Sequence, residues 1–390
     1  MKTKLTIVDF IFAGVMLALG LIARFYLFPM ISGDYTAFLQ HWVEHFETNG
    51  GFAAVGDDIG DYSPMYYYIL AALTYLPLKS LFALKMVSVL FDIGCAVTAF
   101  CILYKAGAQK NRCFLGAAAV FLLPTAILNS AAWAQCDSIY TLFLLLGLYQ
   151  LIRAGRSGSL NAGIFFGIAF SFKLQAIFLF PLFALFLLKE KRRWIEKLFA
   201  AVMIPAMYIL SLVPAVLAGG NFVRMLMVYV NQANGYAHLN MHIANIWALV
   251  ADSQNVMLGS GGVFLAGAVT LAALYYFWGK PLVYNAKTLT ALALFFALLI
   301  PFLLPYMHER YYYPADIIAV LFAALYAKRA WVLAVVQFCS FEGYMYFLLG
   351  EDFVDLKLLA LGILAAIVTA ALVLRDTAKP LPSAPLNPNP

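Results

Sequence analysis

The chain has 390 residues, of which 64% are hydrophobic and only 11% charged, with a formal net charge of +6. Soluble domains carry about a quarter of their residues as charges, so this balance excludes a water-soluble globule, and the positive charge does not signal a nucleic-acid partner. In a polytopic membrane protein the basic residues report instead which loops stay in the cytoplasm.

Apolar runs of roughly 18–25 residues recur along the whole length, each long enough to cross about 30 Å of hydrocarbon. The first follows Lys2 and Lys4 and extends from Leu5 to Pro29. It is too long for a secretory signal and lacks a small-x-small cleavage site before Ser32, so a retained helix is expected. Basic residues gather in short segments between later runs: Lys105/Lys110/Arg112, Arg153/Arg156, Lys189/Lys191/Arg192/Arg193/Lys197, Lys280/Lys287, Lys328/Arg329 and Arg375/Lys379. Placing these segments and both termini in the cytoplasm leaves all five histidines outside, with Asp34, Asp57, Asp58, Asp61, Asp137, Glu309 and Asp352. Residues 160–188 form one apolar run flanked by basic segments at both ends. Two short legs turning near Lys173-Leu174-Gln175 satisfy both ends, whereas a single crossing does not.

The expected fold is an all-α polytopic membrane protein with about 12 transmembrane helices. The spans fall at 5–29, 81–104, 114–131, 138–153, 160–172, 175–188, 195–218, 259–278, 288–305, 314–327, 331–349 and 356–375. Two long outer loops, about 30–80 and 219–258, are expected to carry short interfacial helices. One begins at Tyr62-Ser63-Pro64, since proline suits the first helical position and the tyrosines that follow suit an interface. Residues 1–375 then make a single catalytic domain, and the Pro-rich stretch 376–390 a disordered cytoplasmic tail. The five cysteines show no CxxC spacing, and no metal set or disulfide framework is visible.

Four outer segments concentrate groups able to do chemistry. Gly33-Asp34-Tyr35 sets a carboxylate just beyond the first helix, which suits a general base and equally suits a loop acid or helix cap. His41-Trp42 follows at helical spacing. In Trp133-Ala134-Gln135-Cys136-Asp137, the aspartate is either a site residue or the cap of the next helix. Phe172-Lys173-Leu174-Gln175 puts a lysine at the hairpin tip, where it faces a partner or snorkels to the interface. Tyr306-Met307-His308-Glu309-Arg310-Tyr311 packs cationic and aromatic groups into one short loop, a good setting for a phosphate or a sugar. Asp92 and Glu342, within helices, are expected to be paired or to line a cavity.

The order of these motifs resembles that of the GT-C superfamily of membrane glycosyltransferases, which use polyprenyl-phosphate sugars as donors. It is similar to the lipid-linked-oligosaccharide glucosyltransferases and to bacterial proteins related to GPI mannosyltransferases. The resemblance rests on Gly33-Asp34-Tyr35 with His41-Trp42, Asp61-Tyr62-Ser63-Pro64, Gln135-x-Asp137, Phe172-Lys173-x-Gln175, Ala244-Asn245-Ile246-Trp247 and His308-Glu309-Arg310. It implies that Asp34 is the catalytic base and that His308 and Glu309 help to hold the donor phosphate. Lys173, Gln175 and Arg310 complete the expected donor site, and His41, Trp42, Asp61, Tyr62, Gln135, Asp137, Asn245 and Trp247 support it.

The implied reaction is inverting transfer of a hexose, mannose or glucose, to a hydroxyl of a glycan or lipid-linked acceptor. It would occur on the outer face of the plasma (cytoplasmic) membrane, within the cell envelope. The expected partners are the lipid-linked donor, the acceptor and membrane lipids, with no cofactor, metal or nucleic acid. The competing reading is a polytopic transporter or lipid-linked-sugar flippase. That class usually shows paired halves with broken helices in matching positions, which the sequence lacks.

Overall fold

A computed structural model describes residues 5–153, 155, 157–233, 238–250 and 256–378. Lys2, Lys4, Arg156 and the Pro-rich stretch from Lys379 onward lie outside the described residues. In chain order, α1 (Ile7–Leu27) leads into the first long connection. This holds a π-helical turn (Tyr35–Leu39), α2 (Gln40–Thr48), a 3-10 turn (Gly51–Ala54) and α3 (Pro64–Leu73). Next come α4 (Ser80–Lys105), α5 (Lys110–Leu122) and α6 (Pro124–Ile127), which continues as a π-helix (Leu128–Trp133). Then follow α7 (Asp137–Arg153), α8 (Gly158–Phe172), a 3-10 segment (Leu174–Leu179) entering α9 (Phe180–Lys189), and α10 (Trp194–Leu217).

The second long connection carries α11 (Phe222–Leu226), α12 (Val228–Ala233), strand β1 (Asn240–Met241) and a 3-10 turn (Ile246–Leu249). The chain closes with α13 (Val256–Trp278), α14 (Ala286–Leu303), strand β2 (Met307–His308), α15 (Tyr313–Leu325), α16 (Trp331–Leu349) and α17 (Leu356–Thr377).

Every expected span is helical. By length and composition seven helices can cross a membrane, or eight when α5 and Pro124–Trp133, bent by 46°, count as one. The bend has a local cause: Leu123 precedes a proline and is driven out of the helical region to φ −54°, ψ 130°. The units Gly158–Phe172, Leu174–Lys189 and Tyr313–Leu325 are shorter apolar helices. The break expected at Lys173 is there, with that residue extended at φ −154°, ψ 136°. Pro64 occupies the first turn of α3, as its sequence position implied.

The hydrophobic periphery and core are arranged for a lipid solvent. Along α14, 94% of the apolar window is buried, whereas α1 buries 11% and turns Ile7, Val8, Phe10, Ile11 and Ile22 outward. Exposed aliphatic surface of this kind is stable against hydrocarbon and costly in water. The two long connections are knitted together where Gly56 meets Gly220. A Cβ on Gly56 would lie 2.6 Å from the Gly220 nitrogen, so only glycine permits that approach. One feature departs from the all-α expectation: β1 and β2 pair in parallel, Asn240 with Met307 and Met241 with His308.

Candidate active site

Asp34 sits between the end of α1 and the π-helical turn. The carbonyls that end a helix need donors, and here Lys85 of α4 supplies them. Its fully buried ammonium donates to the carbonyls of Phe28 at 2.9 Å and Met30 at 2.6 Å. Two residues before Asp34, the Ser32 hydroxyl donates to the Trp133 carbonyl at 2.7 Å. Both contacts fix the backbone that carries the carboxylate.

The opposite wall turns sharply after Trp133. Ala134 adopts φ 65°, rare for a residue with a Cβ, and the Gln135 amide then donates back to the Asn129 carbonyl at 2.9 Å. The turn aims two side chains at one oxygen: Trp133 Nε1 (2.9 Å) and Gln135 Nε2 (2.7 Å) both donate to Asp34 Oδ2. Neither bond uses Oδ1.

Asp137 opens α7 but does not serve as its cap. Its Oδ1 accepts from Lys173 Nζ at 2.6 Å and its Oδ2 from Asn129 Nδ2 at 2.9 Å, all with side chains almost wholly buried. Arg310 is shared among three carboxylates, with Nη1 3.7 Å from Asp34 Oδ2 and 3.5 Å from Glu309, and Nε 3.6 Å from Asp137. Its guanidinium carbon lies 5.1 Å from the Trp133 ring centroid. Its Nε is buried with no hydrogen-bond partner among the described residues. Burial disfavours its charge, but the field of the Tyr62 oxygen, Asp137, Asp34 and Glu309 outweighs this and holds its pKa well above the ordinary value.

These groups surround a cavity of about 280 Å³ whose wall includes Asp34, Trp42, Asp61, Tyr62, Gln135, His308 and Arg310. Seven residues expected from the sequence are thus gathered in one place, and Asp137 and Lys173 lie directly behind the Arg310 wall. Glu309 bridges His308, at 3.5 Å, and Arg310. Gln175 is buried, with Oε1 lacking a partner among the described residues.

Lys173 faces a partner and not the interface, its ammonium engaged by Asp137. His41 is not at the cavity; it is exposed and faces Glu44 at 3.8 Å. Asn245 and Trp247 anchor the end of α14, where Asn245 Nδ2 meets the Pro301 (3.3 Å) and Leu304 (3.2 Å) carbonyls and Trp247 Nε1 the Leu303 carbonyl (2.8 Å). Asp92 is paired as expected, with Arg24 at 2.8 Å, and accepts from the Tyr313 hydroxyl at 2.9 Å. Lys85, Asn129 and Tyr344, which contacts Asn129 at 2.9 Å, were not singled out from the sequence. A lone lysine within an apolar run was the available signal for Lys85.

The apolar helices and the polar cavity gathered at one end of the bundle define a multi-pass membrane protein with a built polar site. Residues 61–218 match the family model described as dolichyl-phosphate-mannose-protein mannosyltransferase. That stretch is similar to membrane glycosyltransferases of the GT-C type. The matched stretch contains Gln135, Asp137 and Lys173, whereas Asp34 and Arg310 lie outside it. No curated protein sequence matches the chain.

Proposed function

We propose that the protein transfers a hexose, mannose or glucose, from a polyprenyl-phosphate donor to a hydroxyl of a glycan or lipid-linked acceptor on the extracytoplasmic side of the plasma membrane. Asp34 is the base. The acceptor oxygen forms a bond to the anomeric carbon as its proton passes to Asp34, and the bond from that carbon to the phosphate oxygen breaks with both electrons. Polyprenyl phosphate leaves as an anion, so the step needs a base and a cation but no general acid. A single displacement inverts the anomeric centre.

The observation that carries this reading is the placement of Asp34 and Arg310 on one cavity wall, with Arg310 Nε free of hydrogen bonds among the described residues. A guanidinium with donors in reserve suits a phosphate whose charge grows during departure. His308 lines the same cavity and supports the donor end. Lys173 acts through Asp137, holding the carboxylate that faces Arg310. The concentration of these groups at one end of the bundle favours transfer chemistry over transport, for which midplane sites are expected. The test is reconstitution of the full chain with a panel of short-chain polyprenyl-phosphate hexoses, scoring release of polyprenyl phosphate. Cleavage of at least one donor is expected, with its loss in Asp34→Asn. Cleavage of none, or full activity in that variant, overturns the proposal.

A further inference from the structure

The Asp34 cavity has two neighbours of opposite character. A cavity of about 360 Å³ shares Asp61, Tyr62 and Gln232 with it and adds Asp57, Asp58 and Arg224. A second, of about 570 Å³, shares Met241, His308 and Phe347 and adds His238, His242, Glu309 and the apolar Val250 and Leu356. One flank of the site therefore sets three carboxylates beside one arginine, and the other sets one carboxylate among three imidazoles and apolar surface.

The single arginine of the acidic flank does not neutralise it. Arg224 is ion-paired with Asp58 and donates to the Gly56 carbonyl at 3.2 Å. Asp57 contacts His45 at 2.8 Å. Asp61, shared with the Asp34 cavity, has no ion-pair partner among the described residues. The Gln232 Oε1, which belongs to a residue lining both cavities, is buried without a hydrogen-bond partner among the described residues. The mouth is wet: the side chains of Asp57 and Asp58 are 49% and 71% exposed. Tyr62 and Tyr67 contribute aromatic walls, each packed on Trp42 with ring centroids 5.2 Å and 5.6 Å away.

From this juxtaposition we infer that the acidic cavity receives the acceptor, and that the acceptor is a glycan whose reacting end carries hydroxyl or ammonium groups and no carboxylate or phosphate. The inference rests on the glycosyl-transfer reading and deepens it. Carboxylates accept hydrogen bonds from sugar hydroxyls and attract ammonium groups, while aromatic faces cover the apolar C–H side of a pyranose. The same carboxylates repel an anion, which turns the phosphodiester of the donor toward the imidazole flank.

The experiment is a binding titration of the full chain in lipid nanodiscs, without donor, against three trisaccharides of equal length. They are a glucosamine trimer, its N-acetylated form and a galacturonate trimer. The galacturonate trimer is expected to bind at least tenfold more weakly than the neutral one, and the glucosamine trimer at least as tightly. Asp61→Asn and Asp58→Asn are each expected to reduce the discrimination threefold or more, and added salt to reduce it further. Asp61 is exposed and has no ion-pair partner among the described residues, so Asp61→Asn is expected to leave the fold intact. Equal binding of the galacturonate trimer, undiminished discrimination in both variants, or binding of none of the three overturns the inference. Because no donor is present, such a failure leaves the transferase reading to stand or fall on donor cleavage.

Discussion

Arg310 Nη1 lies 3.7 Å from Asp34 Oδ2, so the proposed base and the cation proposed for the leaving phosphate share one wall of one cavity. At this distance the two are ion-paired but not hydrogen-bonded, and Asp34 Oδ2 accepts from Trp133 and Gln135 instead. Each partner keeps capacity for a substrate group.

Asp34→Asn should abolish transfer while leaving the fold intact. Positioned proton transfer contributes roughly 10²–10⁴-fold to rate. Donor cleavage by the purified variant, with thermal unfolding as the control, checks this. Retention of more than about a tenth of wild-type turnover would move the base to another carboxylate, with Asp61 the next to test.

Trp133→Phe and Gln135→Leu should each lower kcat more than donor KM. Each removes one of the two donors that orient Asp34, and a misaligned base is felt in the transition state. A loss of about 1.5–3 kcal/mol, or roughly 10- to 150-fold in rate, is the upper range expected from removing one donor to a carboxylate. An increase in donor KM alone would show that these residues contact substrate instead of holding the base.

At Arg310 the order of activity should be wild type, then Arg310→Lys, then Arg310→Ala. Lysine keeps the charge but not the planar fork of donors. A charge-assisted bond contributes about 1.5–3 kcal/mol, which places the alanine variant roughly 10- to 150-fold below wild type. Steady-state kinetics separates the contributions, and the larger fall is expected in kcat. Wild-type kinetics in Arg310→Ala would remove this residue from the phosphate site.

Lys173→Met should act chiefly on stability. It leaves Asp137 buried without its 2.6 Å partner, and breaking a buried pair costs about 3–5 kcal/mol. The double variant Lys173→Met/Asp137→Leu should recover much of that loss, read as a rise in Tm. Failure of the second substitution to restore Tm would mean that the pair is not the main interaction of either residue.

Leu174→Cys, in a background lacking the native cysteines, should react with an impermeant thiol reagent added from outside. Labelling only from the cytoplasm would invert the proposed orientation of the break at Lys173 and of every later helix.

Hydropathy and charge placement determined where the helices lie. Each acts along a continuous stretch of chain, so the run at 160–188, basic at both ends, was readable as two short legs before any contact was known. Proline chemistry at Pro64 was legible for the same reason, since it depends only on adjacent residues. The grouping of site motifs on one side also followed, because alternating spans carry alternate loops to the same face. Only the tertiary structure decided which side chains meet. Asp137 and Lys173 are 36 residues apart and Asp34 and Gln135 are 101 apart, and no local preference specifies such partners. Packing assigned Asp137 to Lys173 instead of to its own helix start, turned His41 away, and placed Lys85 beneath the loop of Asp34. A buried charge takes the partner that helix packing brings within reach, and that choice is made in three dimensions.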